Sequence, residues 1–327
     1  MRALDDSRII VSMPANGGDA PDIRRRRLIS PRDIAMVFYL AALLVPAWTL
    51  PDRWLTLPGR LIALTTVRMR PARTRRDAAR LRRLFGERMP ASATRLHTEI
   101  LTNAHVHTML YLRALRPGGW TPTTHVEGAE HLRSALNDGR GVVVWTAPLS
   151  YDGLMTKVAL SAAGAPPGHL SHLYHYLSDS RFGVRFLNGL VRHVEARYIA
   201  DRFVMRPEGA TAALRGLREH VARNGVVTVT GIGGAGGRMY TAALLDGTIE
   251  LPTSAPELAR RAGACLVSAT TVRNDDGSFV TYVDPLAAGA SDRGRADAAA
   301  FADIIARRIL EHPGQCSPML YRELPAT

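Results

Sequence analysis

Two short runs of β-branched residues decide most of what this chain can fold into. Residues 142–145 read Val142-Val143-Val144-Trp145, and residues 226–230 read Val226-Val227-Thr228-Val229-Thr230. Neither carries a charge, so each needs cover on both faces. That is the mark of a central strand in a helix-covered sheet. The flanking sequence supplies the cover. Residues 128–137, 153–163, 207–223, 254–261 and 296–310 read as helices, with Leu214, Leu217 and Val221 along one face of the third. Residues 124–127 and 169–174 read as further strands. Residues 265–272 and 279–283 read as strands flanking the hairpin turn Asn274-Asp275-Asp276-Gly277. Strands separated by helices predict an α/β layered fold with a central, mainly parallel sheet flanked by helices.

The N-terminal part has another character. Residues 1–22 are polar, Arg24-Arg25-Arg26-Arg27 follow, and residues 1–29 are expected to be disordered. Ser30 is placed to cap a helix that starts at Pro31. Residues 34–50 then carry no charge. As a helix they would reach about 25 Å, just short of a hydrocarbon core of about 30 Å. A short span, a tilted in-plane anchor and a buried core helix all stay open. Pro46 is expected to kink this helix, and Trp48 and Trp54 read as interfacial anchors. Residues 54–67 are apolar apart from Arg60, and residues 68–83 hold eight arginines. An apolar stretch followed by a polybasic helix suits a chain resting on anionic lipid. Residues 30–67 are therefore read as membrane-anchoring helices and 68–327 as the α/β domain. The helix at 92–115 carries His97, His105 and His107, which read as partly buried polar residues rather than metal ligands.

Charge narrows the partners. The formal net charge is +13, and all the basic residues are arginine except Lys157. Such a surplus fits nucleic acid, an anionic membrane or an anionic substrate. No aromatic interleaving or DNA-binding motif supports nucleic acid. Cys265 and Cys316 form no C-x-x-C pair. Gly231-Ile232-Gly233-Gly234-Ala235-Gly236 fits G-x-G-x-x-G after a strand, but Pro252 leaves too little room for the helix that a dinucleotide fingerprint opens. A close-approach loop at the mouth of a cleft is the reading, and no cofactor or metal is expected.

Several segments, in order, carry a family resemblance. They are Val126-Glu127-Gly128-Ala129-Glu130-His131-Leu132, Gly139-Arg140-Gly141-Val142-Val143-Val144, Asn224-Gly225-Val226-Val227, Pro252-Thr253-Ser254-Ala255-Pro256-Glu257-Leu258-Ala259 and Gly263-Ala264-Cys265-Leu266-Val267. With the apolar anchor and Arg-rich helix before them, they resemble the lipid A biosynthesis lauroyl/myristoyl acyltransferases, a branch of the glycerolipid acyltransferases. The resemblance runs from about residue 30 to the C-terminus. It implies a glycerolipid acyltransferase-like fold at the cytoplasmic face of a bacterial inner membrane, peripheral or single-pass. It also implies transfer of a fatty acyl group from a thioester, on acyl carrier protein or coenzyme A, to a lipid or glycolipid acceptor.

In that family a histidine takes the acceptor's proton and a carboxylate orients it, in an H-x-x-x-x-D or H-x-x-x-x-E motif after a buried strand. Here the segment reads Ala147-Pro148-Leu149-Ser150-Tyr151-Asp152, with Asp152 at the acidic position and Ala147 in place of the histidine. Four explanations stay open. Another base such as His125, His169, His172 or His175 serves. The acceptor is a nucleophile that needs less help. The protein binds acyl chains or lipids without catalysis. Or the alanine is itself a substitution made in the chain. The resemblance further implies that the run holding Arg181, Arg192, Glu195, Arg197 and Arg202 meets phosphate groups of donor or acceptor. A solvated helix with Glu–Arg pairs is the alternative.

Overall fold

The computed structural model describes residues 27–172, 177–205, 210–230, 238–286 and 294–322. Residues 1–26, most of the segment expected to be disordered, and the glycine cluster at 231–236 lie outside them. Four helices come first: α1 (Pro31–Thr49), α2 (Thr56–Met69), α3 (Pro71–Phe85) and α4 (Ala93–Ala114). The remainder runs β1 (Thr124–Glu127), α5 (Ala129–Asn137), β2 (Val142–Thr146), α6 (Asp152–Ala162), β3 (Gly168–His172), α7 (Asn188–Glu195), β4 (Asp201–Met205), α8 (Ala210–Ala222) and β5 (Val226–Thr230). Then follow β6 (Met239–Leu244), β7 (Gly247–Pro252), α9 (Ser254–Ala262), β8 (Cys265–Arg273), β9 (Phe279–Leu286), α10 (Arg295–Glu311) and α11 (Pro318–Arg322).

The α/β architecture is present. Seven strands form one sheet in the order β1-β9-β8-β2-β5-β3-β4, and neighbours are parallel except for β8 with β9. The apolar run of β2 explains its central place. Val143 and Trp145 join one core with Phe301 and Ile305 of α10, and Trp145 stacks on Phe301 at 4.2 Å. Val142 and Val144 join the opposite core with Leu132 of α5 and Leu160 of α6. All four side chains are fully buried. Burying an aliphatic side chain of this size contributes about 1.5–3 kcal/mol, so a polar residue in this run would be costly on either face. Gly128 fits the β1–α5 turn for a steric reason: its φ is 78°, and a Cβ there would lie 2.1 Å from the Val283 carbonyl oxygen.

Two segments differ from the sequence expectations. Asp201–Met205, read as the tail of a basic run, is strand β4, parallel to β3 at the sheet edge. The stretch after the glycine cluster is an antiparallel hairpin, β6–β7, turned by Leu245 with φ 52° and Asp246-Gly247.

The apolar N-terminal helix is built onto the protein. Ser30 and Asp33 form a reciprocal cap at the start of α1, with Asp33 N donating to Ser30 Oγ at 3.2 Å and Ser30 N to Asp33 Oδ2 at 2.7 Å. The helix continues through Pro46 to Thr49. By length and composition it could cross a membrane. Its inner face, Met36, Leu40, Leu43 and Ala47, is buried with Val106, Met109 and Leu110 of α4. Its outer face leaves Ile34, Val37, Phe38 and Val45 exposed. Trp48, expected at an interface, instead donates its indole N–H to the Leu112 carbonyl at 2.9 Å, while Trp54 is exposed. Arg113 of α4 is buried and secures the end of α1. Its Nε donates to the Ala47 carbonyl at 2.8 Å, and its terminal nitrogens reach the Leu50 carbonyl and Asp52. α2 lies against α4 through Gly59 and Ala63, and a Cβ at Gly59 would sit 3.0 Å from the Thr102 carbonyl oxygen. Its other side exposes Leu57, Leu61 and Leu64. In α3, Leu81, Leu84 and Phe85 enter the core, while Arg75, Arg76, Arg82 and Arg83 face solvent.

Candidate functional site

Ligands of open α/β sheets bind beyond the carboxyl ends of the strands. Here the chain leaves β2 through residues 147–151 and enters α6 at Asp152. The Ala147 N–H donates to the Ala269 carbonyl at 3.1 Å, which extends the β2–β8 ladder by one bond. Asp152 is buried and fully engaged. Its carboxylate accepts from Leu149 N at 3.1 Å, from Thr271 N and from Thr156 Oγ1 at 3.4 Å. Thr156, Thr271 and Thr281 continue as a buried hydroxyl chain at 2.7 and 2.9 Å. Burial pushes the Asp152 carboxyl up to about 8, against the hydrogen bonds from Thr271, Leu149 and Thr156 that pull it down. Asp152 therefore ties the loop to β8. Ala147 contributes only a methyl group.

A cavity of about 830 Å³ opens from this loop. Ala147, Pro148, Ser150, Asp152 and Gly153 form its sheet end. Its far end is formed by Met36, Tyr39 and Leu40 of α1 and Leu61, Ile62 and Met69 of α2. Arg70 and Arg73 also line it. The volume lies within the range of about 300–1,000 Å³ typical of ligand pockets.

The cavity wall holds an ion-pair network. Glu195 at the end of α7 is buried and accepts from Lys157 Nζ at 2.5 Å, Arg202 at 2.9 Å and Tyr111 Oη at 3.3 Å. Burial opposes ionisation of Glu195, but Lys157, His169 and Arg202 outweigh it and hold the carboxyl at about 2. Burial also brings the Lys157 ammonium below its ordinary value, with Glu195 opposing. Three histidines of α4 line the same space. His97 lies 3.9 Å from Asp77 and 3.3 Å from the Tyr321 hydroxyl. His105 Nδ1 bonds to Tyr39 Oη at 2.6 Å. His107 stands edge-on to Tyr111 and Tyr151, with ring centroids at 5.1 and 6.2 Å. Burial brings both His105 and His107 down to about 4, and for His107 the nearby Lys157 adds to that while Glu195 opposes it.

The site residues expected from sequence fall into four groups. Ala147, Ser150, Asp152 and Glu195 line the cavity, as does His169, whose Nδ1 lies 3.1 Å from Thr228 Oγ1. Tyr151 stands behind the wall, fully buried, with its hydroxyl on Asn103 at 2.6 Å. Arg202 joins through Glu195. Arg181 and Arg197 are elsewhere. Arg181 lines a separate pocket with Arg185 and Phe186, and Arg197 is exposed and donates to the Ala114 carbonyl at 2.5 Å. His125 is exposed on β1. His175 and the side chain of His172 lie outside the described residues.

Sequence reasoning passed over Lys157 and the cavity-facing role of His107. A lone lysine among arginines, and a His–Tyr pair spaced i, i+4 on α4, were the available signals. No protein-family model matches the chain, and no curated protein matches it.

Proposed function

We propose that this protein acylates a lipid or glycolipid at a membrane surface, drawing the fatty acyl group from a thioester on acyl carrier protein or coenzyme A. The supporting observation is the continuity of the cavity. It joins the end of β2, where acyl transfer chemistry would take place, to helices α1 and α2, whose outer faces are apolar. An acyl chain can lie along the α1–α2 end while its thioester carbon sits near Ala147 and Ser150. The exposed apolar residues of α1 and α2 beside the arginines of α3 suit the cytoplasmic face of a bacterial inner membrane. One observation favours a second reading, a non-catalytic acyl- or lipid-binding protein: Ala147 offers no base, and the Asp152 carboxylate is already bonded to Leu149 and Thr271.

Purified protein with acyl-CoA or acyl carrier protein and a panel of hydroxyl acceptors separates the two. Acceptor-dependent thiol release supports transfer, and Asp152→Ala should abolish it by releasing the loop that Asp152 ties to β8. Saturable acyl-CoA binding with no release across the panel assigns the second reading. Ala147→His then reports on the site itself, because a gain of transfer would show a donor and acceptor site lacking only a base.

A further inference from the structure

If the cavity transfers acyl groups, something must accept the acceptor's proton, and the loop at 147–152 holds no free base. The neighbouring helix α4 supplies one. His107 lines the same cavity as Ala147 and Ser150. Its Nδ1 is buried with no hydrogen-bond partner among the described residues. Buried ring nitrogens in folded proteins nearly always find a partner, so this ring carries an unused hydrogen-bonding group in the cavity wall. Its Nε2 approaches the loop. A Cβ built on Gly153, the residue after Asp152, would lie 3.7 Å from it, and Gly153 has no side chain to cover that edge. Edge-on contacts with Tyr111 and Tyr151 fix the ring plane.

The other cavity histidines each hold a side-chain partner. His169 meets Thr228, and His97 meets Tyr321 and Asp77. His105 also has a buried nitrogen without a partner, Nε2, but its Nδ1 is tied to Tyr39 of α1, and it is His107 that reaches Gly153 beside the loop. The charged groups acting on His107 are Lys157 of α6 and Glu195 of α7, which are paired to each other.

We propose that His107 is the catalytic base of this site, acting from α4 in place of the base that Ala147 does not supply. This rests on the acyl-transfer reading above. The imidazole takes the proton of the acceptor hydroxyl as its oxygen attacks the thioester carbon. A C–O bond forms, the C–S bond breaks, and the imidazolium returns the proton to the departing thiolate. An ester and a free thiol result, with no change of oxidation state.

The test compares the full chain with His107→Gln, His107→Ala and Gly153→Val. Thiol release from hexadecanoyl-CoA is measured over the acceptor panel, and binding of a fluorescent hexadecanoyl-CoA is measured in parallel. Removing a general base should lower kcat by about 100-fold or more. The expected result is that loss in His107→Gln with acyl-CoA affinity within about threefold of the unmodified protein, by the same reasoning that a base acts on the step and not on binding. Added imidazole should restore part of the activity of His107→Ala. Gly153→Val should lower kcat by covering the ring edge. Turnover by His107→Gln within about threefold of the unmodified protein would overturn the assignment while leaving acyl transfer intact. Equal loss of binding and turnover, or no imidazole rescue in a His107→Ala protein that still binds, would make His107 structural and also overturn it. An unmodified protein that binds acyl-CoA but releases no thiol would remove the acyl-transfer reading, and the role of His107 with it.

Discussion

The Lys157–Glu195 pair allows a sharp energetic test. Glu195→Gln keeps the size and one carbonyl acceptor but removes the charge that Lys157 and Arg202 share. Arg202 is partly exposed and can turn to water, whereas the Lys157 side chain is only 5% exposed. Stranding one buried charge typically costs about 3–5 kcal/mol. Lysine has an escape that caps this cost. It can fold neutral, and giving up a proton at pH 7 from an ordinary value of 10.5 costs about 5 kcal/mol, at about 1.4 kcal/mol per pH unit. At pH 9 the same cap falls to about 2 kcal/mol.

The sign follows from proton counting. In the variant the unfolded chain holds one more proton than the fold below pH 10.5, so stability rises with pH. In the unmodified protein the Glu195 carboxylate opposes the loss of that proton, so the slope from Lys157 is smaller than in the variant. Urea unfolding followed by circular dichroism at pH 7, 8 and 9 reads this directly. The variant should be about 3–5 kcal/mol less stable at pH 7 and only about 2 kcal/mol less stable at pH 9. Adding Lys157→Met should recover most of the loss, because no buried charge then remains. A variant within about 1 kcal/mol of the unmodified protein at pH 7 would refute the reasoning, as would a cost that does not change with pH.

Two further outcomes follow from the helical part. His107 is neutral in the fold down to about pH 4, against an ordinary 6.5, so the unfolded chain takes up the extra proton and stability falls as pH drops through that window. His107→Gln should therefore reduce the acid-side slope of unfolding free energy by about 1.4 kcal/mol per pH unit between about pH 6.5 and 4; identical slopes would contradict the buried placement of the ring. Arg113→Met should cost about 2–4 kcal/mol by leaving the Ala47 and Leu50 carbonyls without their donor, and limited proteolysis should cut faster near residues 50–53. An unchanged cleavage rate would show that α1 is held by its apolar face alone.

The sheet and its cover were legible because their signals are local. The valine run of β2 has no polar residue to hide, and α4 repeats its apolar positions at helical spacing. The β6–β7 hairpin was missed although Asp246-Gly247 announces a turn, because the glycines before it fit a dinucleotide fingerprint and read as a loop at the mouth of a cleft. β4 was missed for another reason. As an edge strand it tolerates Asp201 and Arg202, and those charges look like a solvated helix when read alone. In the candidate site, Ala147, Ser150 and Asp152 could be found from one contiguous motif. His107, Lys157 and Glu195 come from three separate helices, and only folding brings them to one cavity wall. The Glu–Arg pairing expected as a surface feature became a buried ion pair because α7 ends against α6 and β4 rather than in solvent.

The placement of β1 beside β9 has a consequence for how the protein is made. Thr124 pairs with Phe279, so the first strand synthesised waits for one of the last. At about 5–20 residues per second, that wait is on the order of ten seconds or more. Throughout it, α1 to α4 are already outside the ribosome with the sheet that supports them unbuilt. Their core-facing apolar surfaces stay uncovered in the meantime. The helical part thus waits on the last third of the chain before its cover is complete.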